Sequence, residues 1–360
     1  MKNVCAAAPQ LANLEPYDPK YLPAQAMISA NESPYDIPVD IRAEISASLA
    51  QLPFNRYPDP LANELRDMIA QANNLAREQV LLGNGGDELL FNLALAWGGE
   101  GRKMLNITPT FSVYEFNAVL NNTEVVTIPR KPNLSIDEDA VIARLSQGDI
   151  SYVIITSPNN PTGSLASLEF IERAANASNA LVLVDEAYGE FAGQTALPLL
   201  KEHKNLLILR TFSKAFSFAG GRLGYFLGNE EVIREFVKFR QPYSVDALSQ
   251  AIGKVLFAHR DYFLAQAANI MREQQRVMAA LCEQPGIETV YPSDANFILF
   301  KLERAGEVWA ALYEKGVLVR DFSRAKGSEN CLRVSIGSPE ENNLFLRALA
   351  EVLGSAQRAS

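Results

Sequence analysis

The sequence predicts an α/β fold with a large and a smaller domain, and two observations carry this prediction. Between residue 57 and about residue 246, short apolar runs alternate with helix-like segments, a pattern typical of a mixed, mostly parallel sheet flanked by helices. From about Ala247 onward, two long helical stretches precede three further strands, which indicates a smaller α+β domain. A chain of 360 residues is long enough to bury both cores.

The strands of the large domain are predicted from short apolar runs. They are residues 80–82, 104–107, 124–128, 152–155, 181–184, 206–209 and 222–227. Residues 87–97 are predicted to be helical, because apolar side chains recur at helical spacing and acidic residues occupy the first turn. Ligands on such sheets bind beyond the carboxyl ends of the strands, so the loops after these strands are expected to carry the chemistry.

The C-terminal part of the chain is predicted to begin with helices. The predicted helices are 247–258, 261–283, 307–315 and 340–353, and the strands are 297–302, 318–320 and 332–336. The first thirty residues are rich in Pro, Ala and Tyr and are expected to form an extended arm. The expected division is therefore an arm, 1–30, that joins the small domain, a large binding domain, 31–250, and a small α+β domain, 251–360.

Charge and composition exclude several classes of function. A net charge of −9 argues against nucleic acid and anionic membranes as partners. No apolar run approaches the length of a membrane span, and the N-terminal Val-Cys-Ala-Ala-Ala patch is too short for a signal peptide. Three cysteines and two histidines, without a CxxC pair, leave almost no ligands for a metal. We therefore expect a cytoplasmic protein with reduced thiols and no metal site.

The segment Thr211-Phe212-Ser213-Lys214 carries the clearest chemical signal and comes directly after a predicted strand. A lysine at a strand end, flanked by hydroxyls and followed by Arg222, suits a phosphorylated carbonyl cofactor. The amine can form an imine, while Thr211, Ser213 and Arg222 can donate to phosphate oxygens. Taken alone, the segment is explained equally well by a solvated surface lysine.

Two further strand ends carry polar side chains. Asp185 follows strand 181–184, and a carboxylate buried there can pair with a protonated pyridine nitrogen, which keeps such a ring an electron sink. The phenol of Tyr188 can hydrogen-bond a hydroxyl oxygen carried by the same pyridine ring, O3′. In residues 157–163, prolines and a glycine fix a tight turn from which Asn160 presents its amide. An ordinary helix-capping Asp and a generic turn are the simpler explanations of these two loops.

The run Gly83-Asn84-Gly85-Gly86-Asp87-Glu88 lies between the first strand and the first predicted helix of the sheet. Its glycines allow close approach of the backbone, and the helix that follows offers free N–H groups to a phosphate. The run lacks the GK[ST] of a Walker loop and the GxGxxG spacing of a dinucleotide site. Together the four loops offer an imine lysine, a ring-nitrogen carboxylate, O3′ donors and a phosphate cradle.

These motifs, in this order, resemble those of the fold-type I pyridoxal-phosphate (PLP) aminotransferases, and within them the histidinol-phosphate aminotransferase subgroup. The resemblance runs nearly end to end and implies the type I PLP-dependent transferase fold. Its other markers are Asn31-Glu32-Ser33-Pro34-Tyr35, Arg56-Tyr57-Pro58-Asp59-Pro60, Pro109-Thr110-Phe111, Pro158-Asn159-Asn160-Pro161-Thr162-Gly163, Val184-Asp185-Glu186-Ala187-Tyr188, Pro242-Tyr243-Ser244-Val245, Ser293-Asp294-Ala295-Asn296-Phe297 and Leu332-Arg333-Val334.

The resemblance implies roles for individual residues. Lys214 would hold PLP as a Schiff base and then act as the base, with Asp185 on the pyridinium nitrogen and Tyr188 and Asn160 on O3′. Phe111 would stack on the ring. The cofactor phosphate would be held by Gly85, Gly86, Asp87, Thr211, Ser213 and Arg222, with Tyr57 reaching in from the partner subunit of a homodimer. The substrate side would comprise Arg333, on the α-carboxylate of the amino donor, and Arg320, Tyr17, Asn31 and Asn160.

The activity implied by the resemblance is ping-pong transamination of histidinol phosphate with 2-oxoglutarate, which yields imidazole acetol phosphate and glutamate in histidine biosynthesis. Arg320 and Arg333 are the candidates for the substrate phosphate, since arginine forks suit both carboxylate and phosphate. Departures from the subgroup, such as Gly86 in place of Ser, leave two alternatives open: an aromatic amino-acid aminotransferase and a PLP lyase such as threonine-phosphate decarboxylase. To act as a base near neutral pH, Lys214 needs a depressed pKa, which a desolvated site near Arg222 would supply.

Overall fold

The computed structural model describes residues 5, 9–11, 14 and 22–359. In this part of the chain the strands form a seven-stranded, a four-stranded and a two-stranded sheet. The strands are β1 Ala26–Met27, β2 Val80–Gly83, β3 Lys103–Thr108, β4 Glu124–Pro129, β5 Tyr152–Thr156, β6 Leu181–Asp185, β7 Leu206–Thr211, β8 Gly224–Gly228, β9 Ile287–Val290, β10 Phe297–Leu302, β11 Val317–Leu318, β12 Arg320–Phe322 and β13 Cys331–Ser335.

Helices connect most of these strands. They are α1 Val39–Leu49, α2 Asn63–Ala72, α3 Gly85–Trp97, α4 Val113–Leu120, α5 Glu138–Leu145, α6 Leu168–Ala177, α7 Gly189–Ala192, α8 Glu230–Val237, α9 Ala247–Ala258, α10 Arg260–Cys282, α11 Ala305–Glu314 and α12 Pro339–Ala359. Short 3₁₀ turns occur at Pro9–Leu11, Arg77–Gln79, Leu197–Lys201 and Ala219–Gly221. Across the described residues, no helix combines the length and the apolar character needed to cross a bilayer.

The seven-stranded sheet is mixed and mostly parallel, which confirms the predicted fold class. Its order is β2-β8-β7-β6-β5-β3-β4, and only β8 runs antiparallel to its neighbours. The sheet is covered on both faces, since alternate residues of β6 enter different hydrophobic clusters. Val182 and Val184 pack with Phe170 of α6, whereas Leu181 and Leu183 belong to the cluster that contains α3 and α8 side chains.

The C-terminal sheet is antiparallel, in the order β12-β13-β10-β9, and the arm reaches it through the short parallel pair β1–β11. The predicted single strand 318–320 is wrong, because β11 and β12 belong to different sheets. Val319 lies between them, and its carbonyl accepts a hydrogen bond from Trp309 Nε1 at 2.8 Å. Strand β9 was not predicted, since its residues are half-buried or exposed and lack a continuous apolar run. The division into domains at residues 30 and 250 stays a prediction.

The register of the large sheet decides where the functional loops meet. Thr156 at the end of β5 lies opposite Asp185 at the end of β6, and Asp185 lies opposite Leu209 of β7. Because these strands are parallel, the loops that follow them emerge at one edge of the sheet. Arg222, predicted to begin the next strand, lies outside β8 with a left-handed φ of 48° and is directed by that turn toward the same edge.

Candidate active site

A cavity of about 600 Å³ lies at the carboxyl edge of the large sheet. It is enclosed by the loops after β3, β5, β6 and β7, by the start of α3, by residues 29–31 and by the edge of the C-terminal sheet. The structure thus brings most of the sequence-predicted residues together. Those that line the cavity are Asn31, Gly86, Asp87, Phe111, Asn160, Asp185, Tyr188, Thr211, Ser213, Lys214, Arg222, Arg320 and Arg333.

Two of the predicted residues that the structure describes, Tyr57 and Gly85, do not line this cavity. Tyr17 lies outside the described residues. Tyr57 is 80% exposed and stacks on Tyr243 with ring centroids 4.5 Å apart, so within one chain it points to the surface. Gly85 supports the cavity wall from behind: its φ is +79°, and a Cβ atom there would approach Arg222 Nη2 to 2.7 Å. A side chain at position 85 would therefore displace the Arg222 guanidinium.

Lys214 lies three residues beyond β7, and its amine is directed into the cavity. Its Nζ donates to the Ala30 carbonyl at 2.8 Å and lies 5.9 Å from the ring centre of Tyr188. No carboxylate of the described residues forms an ion pair with it. Burial, followed by the positive charge of Arg333, lowers the pKa of Lys214 to about 8. A fraction of this amine is therefore neutral, and nucleophilic, near physiological pH.

Asp185 ends β6, and its carboxylate is 3% exposed. The phenol of Tyr114 donates to Oδ2 at 2.7 Å, and the Ala187 N–H donates to Oδ1 at 2.9 Å. Within the described chain no Lys, Arg or His forms an ion pair with this carboxylate. Burial raises the pKa of Asp185 to about 6, so the group is ionised but uncompensated at neutral pH.

One end of the cavity is built for an anion. Arg222 Nη1 donates to Ser213 Oγ at 3.3 Å, and Arg222 Nη2 donates to Asp87 at 2.9 Å. Thr211 Oγ1 donates to Ser213 Oγ at 3.0 Å, so two hydroxyls and a guanidinium cluster there. Helix α3 begins at the same place and directs its free N–H groups toward this end. Hydroxyls, a guanidinium and a helix N-terminus together are a typical phosphate environment.

The opposite wall comes from the C-terminal sheet and residues 29–31. Arg333 is buried on β13, where it donates to Asn160 Oδ1 and, at 2.6 Å, to the Ser29 carbonyl. Arg320 stands opposite Arg333 in the ladder between β12 and β13. Asn31 Nδ2 donates to the Tyr188 hydroxyl at 2.9 Å. This wall therefore combines two cations with a positioned phenol, and it can receive a negatively charged substrate.

Sequence reasoning missed part of this site. Tyr114 and Thr156 line the cavity beside Asp185, although neither was singled out. The spacing of Tyr114, three residues after Phe111 and in the first turn of the helix that follows, was an available signal, because this turn brings the two rings into edge contact with centroids 5.6 Å apart. Behind the cavity, Glu186 forms a buried ion pair with Arg210 at 3.0 Å. That pair depends on the adjacency of β6 and β7, which no local pattern reveals.

Known proteins agree with this architecture. The chain matches the family described as aminotransferase class I and II over residues 24–349. The histidinol-phosphate aminotransferase 1 of Carboxydothermus hydrogenoformans is 38% identical over 343 residues, which are 95% of this chain and 97% of that protein. The histidinol-phosphate aminotransferase of Thermococcus kodakarensis is 42% identical over 325 residues, 90% of this chain and 91% of that protein.

A solved structure shares the whole fold. The histidinol-phosphate aminotransferase of Sinorhizobium meliloti, in complex with pyridoxal-5′-phosphate, superposes with a TM-score of 0.89, covers 99% of both chains and is 23% identical. The family match spans most of the residues, and the two relatives align over nearly their full length. On these grounds the chain belongs to the class I and II aminotransferases.

Proposed function

We propose that this aminotransferase moves the amino group of histidinol phosphate to 2-oxoglutarate, in histidine biosynthesis. The observation that carries the proposal is a single cavity that is shared by an amine of lowered pKa, a buried carboxylate with no ion-pair partner among the described residues, and two arginines. The substrate is suggested by the names of the relatives, which are 38% and 42% identical to this chain.

Enzymes of this family use PLP, and the residues of the cavity fit it. The uncompensated carboxylate of Asp185 needs a cation, and a protonated pyridine nitrogen is one. The Arg222 end, where a Cβ at Gly85 would displace the guanidinium, suits the cofactor phosphate. Lys214, with no ion-pair partner in the part of the chain described, offers its amine to the cofactor aldehyde. Phe111 lies along the same cavity and would cover a ring face.

When bound, PLP supplies a carbonyl that takes up the substrate amine and a ring that accepts an electron pair. The protein supplies the acid–base chemistry. The Lys214 amine, with a pKa of about 8, can accept the α-proton of the substrate and return a proton to the carbon that was the cofactor's carbonyl carbon. Asp185 remains ionised above about pH 6 and would hold a proton on the ring nitrogen. Tyr188, fixed by Asn31, would hold the ring oxygen O3′.

The substrate side supports a phosphorylated amine. Arg333 and Arg320 stand opposite each other on neighbouring strands, and Lys326 lines the same wall. Arginine forks bind carboxylate and phosphate through paired hydrogen bonds, so one wall can accept either the phosphate of the amino donor or the carboxylates of 2-oxoglutarate. Such dual use is what a ping-pong reaction requires, since both substrates enter the same cavity in turn.

A substrate panel on purified enzyme tests the assignment. Histidinol phosphate, phenylalanine and tyrosine are each assayed with 2-oxoglutarate, and threonine phosphate is assayed with and without it. We expect kcat/KM for histidinol phosphate to exceed that for phenylalanine and tyrosine by about a hundredfold, because the aromatic amino acids carry no phosphate to fill the anion site. Higher kcat/KM with an aromatic amino acid, or release of carbon dioxide without an oxo acid, would instead support one of the two alternatives.

The role of Arg320 has its own test. Arg320→Ala is expected to lower kcat/KM for histidinol phosphate by about ten- to a hundredfold and to leave that for unphosphorylated histidinol nearly unchanged, since one charge-assisted contact is removed. Arg324→Ala is the matched control, because Arg324 is exposed on the same segment and does not line the cavity. An equal loss for both amines would contradict the phosphate role of Arg320.

We further propose a cytoplasmic homodimer in which Tyr57 completes the phosphate end of the partner's cavity. The exposed stack of Tyr57 on Tyr243 supports this, since it offers aromatic surface that a second copy can cover. Cys5, Cys282 and Cys331 are free thiols, as expected in the cytoplasm. Mixing inactive Lys214→Ala with Tyr57→Ala should restore activity through mixed dimers. A fully active monomer would contradict the proposal.

A further inference from the structure

Tyr114, near the start of α4, links Asp185 to the neighbouring strand. Its side chain is buried, with 2% exposed, and its hydroxyl lies 2.7 Å from Asp185 Oδ2 and 2.9 Å from Thr156 Oγ1. Burial, followed by the negative charge of Asp185, raises the pKa of Tyr114 well above its usual value. The phenol therefore keeps its proton at every pH at which the enzyme works.

A count of protons fixes the direction of these hydrogen bonds. An ionised carboxylate only accepts, so the single phenolic proton of Tyr114 is directed to Asp185. Thr156 must then donate its own proton to the Tyr114 oxygen. The next hydroxyl, Thr110, lies 3.3 Å from Thr156 Oγ1, and its own proton is directed to Asn159 Oδ1 at the shorter distance of 2.8 Å. The result is a directed chain, Thr156 to Tyr114 to Asp185, whose bonds polarise one another.

Other charges around Asp185 work against its ionised form. Besides burial, the negative charges of Asp87 and Glu186 raise the pKa of this carboxylate, and the described hydrogen bonds that lower it come from Tyr114 and the Ala187 N–H. Tyr114 is therefore the one side chain among the described residues whose hydrogen bond lowers the pKa of Asp185.

We propose that Tyr114 is a positioning residue that, supported by Thr156, holds Asp185 ionised and so keeps the proton on the cofactor ring nitrogen. This inference rests on the proposed function, in which Asp185 pairs with that nitrogen. The pair shares one proton, which sits on the nitrogen when the carboxylate is the weaker base. Without the phenol, Asp185 becomes the stronger base and the proton moves from the nitrogen to the carboxylate oxygen. The ring then accepts electrons less well.

The test compares three variants with wild type, each loaded with PLP labelled with ¹⁵N at the ring nitrogen. Tyr114→Phe removes the phenol and keeps the ring, Thr156→Val removes the second donor, and Tyr152→Phe is the control. Tyr152 is equally buried in the same hydrophobic cluster and does not line the cavity. The readouts are the ¹⁵N chemical shift from pH 6 to 9, which reports nitrogen protonation, and the dissociation constant of PLP.

We expect the ¹⁵N shift of Tyr114→Phe to move toward that of neutral pyridine and the dissociation constant to rise roughly tenfold or more, as for one lost hydrogen bond to a charged group. Thr156→Val should move both in the same direction by less, and Tyr152→Phe should move neither. Wild-type shift and affinity in Tyr114→Phe would overturn the inference. If that variant does not fold, Thr156→Val decides by the same criteria. Failure of the wild type to bind PLP would refute the proposed function instead.

Discussion

Two pairs of charged side chains occupy the ends of β6 and β7, and their surroundings differ. Behind the sheet, the buried Glu186 carboxylate accepts hydrogen bonds from Arg210 at 3.0 Å, from Thr195 at 2.9 Å and from the Ala196 N–H. On the cavity side, Asp185 and Lys214 have no ion-pair partner among the residues described. Asp185 and Glu186 are neighbours in sequence, but they face opposite sides of the sheet. The charge of Glu186 is compensated by Arg210, whereas that of Asp185 has no ion-pair partner among the residues described.

The comparison distinguishes charged groups that neutralise each other within the fold from charged groups that remain available to a ligand. Glu186 and Arg210 neutralise each other, so the folded state loses stability when one partner is removed and the other stays buried. Asp185 and Lys214 are instead both shifted toward their neutral forms by burial, to pKa values of about 6 and about 8. Burying two ionisable groups without a counter-charge lowers the stability of the folded protein. Such groups are candidates for binding a charged ligand and for moving protons.

The largest expected effect follows from Lys214, the cavity-facing base. Lys214→Ala should abolish transamination, with kcat reduced by about 10⁴-fold or more, because the nucleophile and the proton carrier are lost together. Lys214→Arg is the matched control, since it keeps a cation of similar length whose pKa is too high to act as a base. We expect both variants to be inactive in a coupled glutamate assay. Substantial activity in Lys214→Arg would mean that charge alone suffices.

The second effect concerns Asp185. Asp185→Asn keeps the shape of the side chain but removes the charge and one of the two hydrogen-bond acceptors, so kcat should fall by roughly 10²- to 10³-fold. Glu186→Gln, at the residue that follows β6, should retain kcat within about tenfold, because Glu186 does not line the cavity. Steady-state kinetics of the two variants side by side measure this contrast. Equal losses would show that the two carboxylates do not differ in function.

Asp185 and Lys214, the pair that faces the cavity, could be predicted from the sequence, because each residue follows an apolar strand. Lys214 lies between hydroxyls and Asp185 follows four buried residues, and each pattern is local. The mixed sheet, helices α9 and α10 and strand β10 were predicted from runs of apolar residues for the same reason. These elements owe their form to side chains within a few positions of one another.

The rear pair, Glu186 and Arg210 behind the sheet, could not be predicted in this way. Glu186 and Arg210 are 24 residues apart, and they meet because β6 and β7 are neighbours in the sheet. Likewise, β11 and β12 separate into two sheets because the arm pairs with β11 alone. The link from Tyr114 to Asp185 spans 71 residues. Each of these features depends on strand order and register, which follow from the packing of the whole chain.

The third effect is on stability and concerns the rear pair. Glu186→Gln should lower the free energy of unfolding by about 3 kcal/mol, because it removes the carboxylate that contacts the half-buried Arg210 guanidinium and leaves the charge of Glu190, which forms no ion-pair contact with it. Urea unfolding of the cofactor-free enzyme, followed by circular dichroism, measures this change. Glu307→Gln serves as a control, since Glu307 pairs with Arg304 on the surface and such pairs contribute little. A loss no larger than that of the control would show the rear pair to be dispensable.

The fourth effect has the opposite sign. The pKa of Asp185 is raised from 3.8 to about 6, so its ionisation costs the folded state about 3 kcal/mol at neutral pH. This cost grows as pH rises from about 4 to about 6 and is constant above that range. The stability of cofactor-free Asp185→Asn relative to wild type should therefore rise by up to about 3 kcal/mol between pH 4 and pH 8, in addition to a pH-independent loss, because the amide accepts only one of the two hydrogen bonds that reach the carboxylate. A relative stability that does not change between pH 4 and pH 8 would show that Asp185 is compensated in the folded protein.

The smallest effect is the pH dependence of cofactor uptake by Lys214. Only the neutral amine attacks an aldehyde, and the neutral fraction rises with pH until the pKa of about 8 is passed. The rate of PLP uptake by the cofactor-free enzyme, followed by stopped-flow absorbance, should rise about tenfold per pH unit below pH 7.5 and level off above pH 8.5. Arg333→Met should move the midpoint upward, because the charge of Arg333 is, after burial, the largest influence that lowers the pKa of Lys214. A midpoint near 10 in the wild type would mean that the cavity leaves Lys214 as solvated as a surface lysine.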